Sequence, residues 1–306
     1  EAAIEVDVDA LCDGKDVFVG GILEHIEMAG IHSGDSACCT PPFSLSLSLQ
    51  GQLRDIARRL ALRLGVVGLL NIQFAIKDQV IYVIEANPRA SRTVPFVSKS
   101  TGVPLAKIAA RIMAGEKLAD LHLPADDREV DYFCVKEAVM PFGRFPGSDV
   151  VLGPEMKSTG EVMGIAGNFP AAFTKTQLAI DYEPPRGGEV FISVNDGDKR
   201  NITAIARSIA RLGFSLVATT GTARALRASG IECEEVGKIH AGSHTILDRI
   251  ASGEIVLMIN TPFGSSTNTD GYEMRAACVR HGVSYCTTLA GAQALIAGME
   301  AVRETG

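Results

Sequence analysis

The stretch from Asn71 to Phe96, NIQFAIKDQVIYVIEANPRASRTVPF, constrains the fold more tightly than any other part of the chain. Leu69 to Ile76 is apolar except for Asn71 and Gln73, and Val80 to Ile84 is an unbroken β-branched and aromatic run, so both predict strands. Lys77, Asp78 and Gln79 predict the turn of an antiparallel hairpin. Successive strand side chains point to opposite faces, so Glu85 and Asn87 share a face and pairing can bring Gln73 beside them. A carboxylate that closes a buried apolar strand is costly unless something positive meets it. Mg²⁺ takes one or two protein carboxylates and completes its octahedron with phosphate oxygens and water, so Glu85 with the amide oxygens of Gln73 and Asn87 suits a metal-nucleotide complex. Arg89 and Arg92 follow directly, and a guanidinium fork matches phosphate oxygens. The plainer alternative is an ion pair of Glu85 with Arg89 or Arg92 at the sheet edge.

A chain of 306 residues, 46% hydrophobic, is above the size at which one core keeps growing, so two domains are expected. No apolar run is long enough to span a membrane, and no charged-then-apolar leader points to export. The seven cysteines are scattered and lack CxxC spacing, which fits free thiols in a reducing cytoplasm better than disulfides or zinc. A net charge of −7 with no basic stripe argues against a nucleic-acid partner.

The chain opens on an alternating strand, IEVDVDALCDG, with an Asp13-Gly14 turn. Glu5, Asp7 and Asp9 share one face of it, and for Asp7 and Asp9 the ordinary expectation is a solvated face. HIEMAGIHSGDSACCTPP has the Gly, Ser and Pro density of a loop. Leu49, Leu53, Ile56, Leu60 and Leu64 form a helical stripe closed by Gly65, expected to pack as core against the hairpin. A second helix is expected over 104–114, with Lys107 and Arg111 as solvated charges. Residues 116–181 are looser, with a turn-rich segment around Pro141 to Gly147 and a Gly-rich stretch, GPEMKSTGEVMG, expected to pack structurally on the preceding body.

At Pro184, Pro185, Arg186, Gly187 and Gly188 the pattern changes. Five apolar runs follow (190–194, 215–219, 231–236, 255–259 and 283–286) and alternate with helical segments, which predicts a mainly parallel sheet covered on both faces. Ligands of such folds sit at the carboxyl ends of the strands. There Thr219, Thr220, Gly221 and Thr222 open a helix as a phosphate cradle, Asn260, Thr261 and Pro262 follow another strand, and Lys199 and Lys238 can supply charge. Threonines that merely cap a helix would give the same pattern.

The runs EANPRASRTVPFVSKSTGVPLAKIAARIMAG (85–115), GLLNIQFAIK before it and GPEMKSTGEVMG (153–164) after it resemble the large subunit of the carbamoyl phosphate synthetases, in its C-terminal half. The likeness covers essentially the whole chain. It implies an α/β and α+β architecture: the C-terminal portion of an ATP-grasp domain (1–115), a connector packing on it (116–183), and a doubly wound, methylglyoxal synthase-like allosteric domain (184–306). By the same resemblance, Gln73, Glu85 and Asn87 are Mg²⁺ or Mn²⁺ ligands, Gln73 and Glu85 also contact ATP, and Arg89 and Arg92 act on the transferring group. Glu5 is implied at the ribose, Gly30, Ile31, His32 and Ser33 at adenine and phosphate, and His25 near a K⁺ site. Lys199, Thr219, Thr222, Lys238 and Asn260 match positions that bind UMP or IMP, and Glu27, Asp35 and Glu137 match positions for ornithine. Two departures stand out: Pro262 and Cys286 replace the hydroxyl and acidic residues expected there.

The implied activity is ATP-dependent phosphorylation of carbamate to carbamoyl phosphate, a cytoplasmic step serving pyrimidine or arginine synthesis. Ammonia is expected from a glutaminase subunit or domain, an N-terminal half of the large subunit is expected upstream, and an oligomer is expected for the full enzyme. The alternatives are an effector-binding regulatory fragment without activity of its own and, by analogy of fold, a methylglyoxal-forming lyase.

Overall fold

In the computed structural model, residues 3–124, 130–144, 149–237, 245–262 and 269–305 are described. Contacts divide the chain into two compact units, Glu1–Val139 with Gly153–Ala179, and Met140–Leu152 with Ile180–Gly306.

The first unit is built on a seven-stranded antiparallel sheet. Its strands are β1 (Ile4–Asp13), β2 (Val17–Met28), β3 (Cys38–Thr40), β4 (Val67–Lys77), β5 (Val80–Asn87), β6 (Phe133–Val139) and β7 (Gly160–Ala166), in the order β5-β4-β1-β2-β3-β6-β7. The hairpin β4-β5 is closed by two residues only, because Lys77 already pairs with Val80. Asp78 and Gln79 both adopt positive φ (50° and 64°), the backbone of a type I′ turn whose twist matches the strands.

The two faces of this sheet differ, because successive residues of each strand alternate between them. Val6, Val8, Leu70, Ile72 and Phe74 point to one face, where helix α1 (Leu47–Arg63) covers them with Leu49, Leu53, Ala57 and Ala61. The expected stripe is thus shifted: Leu49 and Leu53 are buried, Leu64 at the helix end is 55% exposed, and Ala57 and Ala61 are buried in the last turns, while Ile56 and Leu60 are only partly buried. Ser46 caps α1 through its side chain, and Gly65 follows the helix at φ 62°. On the opposite face, Leu11, Leu23 and Leu69 form a second core beneath helices α2 (Val94–Thr101) and α3 (Leu105–Met113). A Cβ on Gly21 would come within 2.9 Å of Val97, so glycine there lets α2 lie close to β2. Helix α2 was not foreseen, and Pro104 stands before α3 as its cap residue instead of inside it. Arg111 is not simply solvated, since it grips Glu116 through its Nε and Nη2. Helix α4 (Phe169–Ala179) packs on β6 and β7. Residues within 116–183 therefore supply two strands and a helix of the first sheet, while Met140–Leu152 belongs with the second unit.

Strand β5 corrects the picture of a buried run. Among the described residues it pairs with β4 alone and forms the sheet edge, so Tyr82, Val83 and Ile84 are 55%, 47% and 51% exposed. The Phe145 to Gly147 part of the turn-rich segment lies outside the described residues.

The second unit holds a five-stranded parallel sheet. Its strands are β8 (Glu189–Val194), β9 (Ser215–Thr219), β10 (Glu234–Val236), β11 (Ile255–Thr261) and β12 (Ser284–Cys286), in the order β10-β9-β8-β11-β12. Helices α5 (Ile202–Arg211), α6 (Thr220–Ala228), α7 (Ile246–Ser252), α8 (Thr269–His281) and α9 (Leu289–Thr305) separate and follow them. Ile246 and Ile250 of α7 and Met274 and Cys278 of α8 pack with Phe191 and Met258 on one face, while α5 and α9 meet elsewhere on the sheet. The strand order reverses between β8 and β11, which opens a crevice at their carboxyl ends.

Candidate functional site

In the first unit, the sheet face that α2 and α3 cover at one end is polar at the other. Strand register builds two rows across β1, β4 and β5: Asp7 opposite Gln73 opposite Glu85, and Asp9 opposite Asn71 opposite Asn87. Over these rows lies a cavity of about 310 Å³. Nine of the residues singled out in the sequence line it: Glu5, Gly30, Ile31, His32, Ser33, Gln73, Glu85, Arg89 and Arg92. Asn87 does not line it but stands behind Glu85, with its Nδ2 donating to Glu85 Oε1 at 2.7 Å. That bond turns the donor end of the amide toward the carboxylate and leaves its carbonyl oxygen for another partner.

Glu85 itself is exposed, not buried, so the expected burial cost at this position does not arise. The reason is the same edge geometry that exposes β5. Arg89, one of the two partners in the plainer alternative, donates from Nη1 to the carbonyl of Ala90, 3.0 Å away.

The buried carboxylates are on β1. Asp7 and Asp9 are 1% and 0% exposed, which overturns the expectation of a solvated face. Strand β1 is interior to the sheet, and the loops 30–36 and 88–93 close over its polar face. Burial pushes the Asp9 carboxyl up to about 6, against the hydrogen bond from Thr93 and those from Asn71 and Ser91. Asp7 Oδ2 lies 3.0 Å from His25 Nε2. Burial disfavours charge on His25, but the bond to Asp7 and the charges of Asp7 and Glu5 outweigh it and raise the imidazole above its ordinary value. Glu5 is raised by burial, which the charge of His25 partly offsets, and its Oε2 accepts from the Gly30 amide at 3.1 Å. Among the described residues, Asp7 Oδ1 and His25 Nδ1 are buried without a hydrogen-bond partner.

Loop 30–36 is held from several sides. The His32 amide donates to the Gly153 carbonyl at 2.9 Å, and Lys136 Nζ donates to the Ser33 carbonyl at 3.0 Å. Asp35 accepts from the amides of Lys157 and Ser158 at 2.7 and 2.9 Å. Two consequences follow. Pro154 of the Gly-rich stretch stands in the cavity wall, and Asp35 is committed to the main-chain amides of Lys157 and Ser158. Glu27 accepts from the Ala37 amide and Glu137 from Gln177, at 2.7 and 3.0 Å. Burial, and then the charge of Glu27, push Glu137 up to about 8.

In the second unit, a cavity of about 270 Å³ opens at the carboxyl ends of the strands, with Ser193, Thr219, Thr220, Gly221 and Asn260 in its wall. Lys199 reaches the start of α6: a Cβ on Gly221 would lie 2.9 Å from its Nζ. Lys199 also pairs with Asp196. Thr222 is 1% exposed and its hydroxyl accepts from the Val194 amide at 3.2 Å, so it braces the cradle from behind. Asn260 is engaged at both ends of its amide, with Nδ2 donating to the Ser193 carbonyl at 3.0 Å and Oδ1 accepting from Arg275 at 2.7 Å. Lys238 lies outside the described residues. Asp270 lines this cavity and had no signal in the sequence beyond its position near a helix start.

Asp7, Asn71, Ser91 and Thr93 also line the first cavity and were not assigned to it. The signal was present in the shared phase of Asp7 and Asp9 with Glu5 on β1, but only the register with β4 shows that their face is enclosed.

A cavity on an antiparallel sheet lined by Glu5, Asp7, Glu85, Asn71, Gln73 and two arginines, and a second cavity at the carboxyl ends of a parallel sheet, define a two-unit α/β protein. Residues 2–121 match the family described as carbamoyl-phosphate synthase L chain, ATP binding domain, and residues 201–287 match the MGS-like domain. The chain thus carries an ATP-grasp-type ATP-binding domain and a methylglyoxal synthase-like domain. It is 54% identical over 306 residues to the carbamoyl phosphate synthase large chain of Methanothermobacter thermautotrophicus, covering 99% of this chain and 29% of that one. It is 53% identical over 299 residues to the large chain of Pasteurella multocida, covering 97% of this chain and 28% of that one. The chain belongs to the carbamoyl phosphate synthase large-chain family and spans less than a third of the length of the relatives it matches. Among solved structures it is similar to the biotin carboxylase domain of a single-chain bacterial carboxylase, with 19% identity and a TM-score of 0.47 over 58% of this chain and 47% of that one. No helix among the described residues is long and apolar enough to cross a membrane.

Proposed function

We propose that this chain is the part of a carbamoyl phosphate synthase large chain that positions ATP for phosphorylation of carbamate to carbamoyl phosphate, and that its second unit binds a regulatory nucleotide. The observation that carries this reading is the meeting of Gln73, Glu85, Arg89 and Arg92 with the loop Gly30 to Ser33 around one cavity. Phosphoryl transfer asks mainly for positioning and for neutralisation of charge on the moving group. The donor set of one carboxylate and two carboxamides fits a hard divalent cation that keeps phosphate oxygens and water as further ligands. Gln73, Glu85 and Asn87 would hold Mg²⁺ or Mn²⁺, which when bound would neutralise the β and γ phosphates. Arg89 and Arg92 offer forks to the transferring phosphoryl group and the carbamate. Glu5 and the loop 30–33 face the same space and suit the nucleoside end, and K⁺ near His25 and Glu5 belongs to the same reading.

The second unit would take UMP or IMP, with its phosphate at Thr219, Thr220 and Gly221 under Lys199. Both carboxylate oxygens of Asp35 are already bonded to amides, which weighs against ornithine as a ligand of Asp35. The rest of the large chain and a glutaminase subunit or domain would supply carbamate and ammonia, in an oligomeric enzyme. In the full-length large chain, Glu85→Gln should lower carbamoyl phosphate formation from ATP by at least about 100-fold. Normal turnover in that variant would remove the metal assignment. Calorimetry of this chain with UMP, IMP and ATP separates a purely regulatory piece, which would bind a monophosphate and not ATP.

A further inference from the structure

The loop between β5 and α2, residues 88–93, carries both arginines of the first cavity, and two of its hydroxyls converge on one buried carboxylate. Ser91 Oγ donates to Asp9 Oδ1 at 2.8 Å, and Thr93 Oγ1 donates to Asp9 Oδ2 at 2.5 Å. The two hydroxyls are 2.7 Å apart, and Asn71 Nδ2 adds a third donor to Asp9 Oδ1 at 3.0 Å. Ser91 Oγ also accepts from the Val94 amide at 3.2 Å, which ties the same loop to the start of α2. Arg92 stands between the two anchored residues and its side chain reaches the cavity.

A carboxylate at 0% exposure is an expensive way to hold a loop. An apolar contact would stabilise the fold as well or better, so a buried acid met by three donors points to a demand for one specific loop conformation. No side chain of β1 other than Asp9 bonds to this loop among the described residues.

We infer that Asp9 is a positioning residue: through Ser91 and Thr93 it fixes the loop that aims Arg92, and with it Arg89, at the phosphoryl group. Asp9 is fully buried and does not line the cavity, whereas Ser91, Arg92 and Thr93 do. The inference rests on the role proposed above for the two arginines, and the experiment keeps the two claims apart.

The test uses the full-length large chain and follows ATP formation from ADP and carbamoyl phosphate, the reverse of the proposed step. Variants are Asp9→Asn, the double Ser91→Ala/Thr93→Val, Thr93→Ser, Arg92→Ala, and Arg92→Ala combined with each of the first two. Displacing a positioned group by about 1 Å can cost roughly 100-fold. Asp9→Asn and the Ser91/Thr93 double should each lower kcat by about 10- to 100-fold and leave the KM for ADP within about two-fold. Thr93→Ser keeps the hydroxyl and should retain wild-type turnover. Arg92→Ala added to either anchor variant should cost less than about three-fold more, since both changes remove the same interaction.

Should Asp9→Asn fail to fold, the Ser91/Thr93 double decides, because it leaves the carboxylate in place. Wild-type kcat in that double, or losses that multiply with Arg92→Ala, would overturn the positioning role. Normal turnover in Arg92→Ala alone would instead overturn the role given to the arginine.

Discussion

Replacing Gly221 by alanine should separate ligand binding from stability in the second unit, because it acts on them in opposite directions. Gly221 lies in the first turn of α6, and a Cβ there would come within 2.9 Å of Lys199 Nζ and 3.5 Å of its Cε. The nearest atom is the end of a flexible side chain, so the fold gives way easily and the ammonium moves. Alanine in a helix is favoured over glycine by roughly 0.5–1 kcal/mol. For a unit of this size that raises the melting temperature by roughly 1–4 °C. Lys199 loses little elsewhere, since its partner Asp196 is 91% exposed and such pairs are weak. What it loses is its place over the helix start. A charge-assisted bond to a phosphate is worth about 1.5–3 kcal/mol, and forfeiting about half weakens binding roughly three- to tenfold. Calorimetric titration of UMP and of IMP, beside thermal melts of the same samples, reads both quantities. Unchanged affinity with a raised melting temperature would refute the placement of Lys199 at the phosphate. Affinity and stability falling together would show general damage to the unit and refute the reasoning equally.

Three further outcomes are expected. Gly164→Ala would bring a Cβ to 2.1 Å from the Ala172 carbonyl oxygen, which only a retreat of α4 from β7 can relieve; overpacking of that kind should cost about 3 kcal/mol, and a melt within 1 °C of the parent, a small fraction of the roughly 6–12 °C shift expected, would contradict it. Asp149→Ala would strip Arg275, 3% exposed, of a partner that accepts from its Nε at 2.8 Å and its Nη2 at 2.6 Å, and should destabilise the second unit by about 3–5 kcal/mol in denaturant unfolding. The third concerns pH: burial raises Asp9 from 3.8 to about 6, so the folded state holds its proton more tightly than the unfolded chain does, and stability falls as pH rises from about 4 to beyond 6, by about 3 kcal/mol from this group. Glu137, raised by burial and the charge of Glu27 to about 8, extends the decline upward, and Asp9→Asn should flatten the lower part of a denaturant-midpoint profile against pH.

Much of this molecule is local chemistry that a sequence displays. The hairpin turn at Asp78-Gln79, the phase of Glu85 with Asn87, and the strand-helix alternation after Pro184 depend on the period of a strand, the period of a helix and the turn residues between them. Gln73 opposite Glu85 was not fixed on the same grounds, since the two-residue turn alone would set Gln73 against Ile84 and a register shift between Gln73 and Phe74 brings it to Glu85. Family likeness then suggested roles for positions that spacing could only call polar, loop 30–33 among them.

Burial was beyond that reach. Strand phase says which residues share a face, not whether the face is covered, and the covering segments come from elsewhere in the chain. Asp7 and Asp9 look like a wetted row until loops 30–36 and 88–93 close over them, and Glu85 looks enclosed until β5 proves to be the sheet edge. The same holds for Asp9 with Ser91 and Thr93, more than 80 positions apart in the chain, and for Asn260, whose amide is held by Arg275 and the Ser193 carbonyl. Sequence alone set the periodicities, the turns and the donor types; tertiary structure decided which carboxylates lost their water, because solvent access at one residue depends on segments that no local pattern encodes.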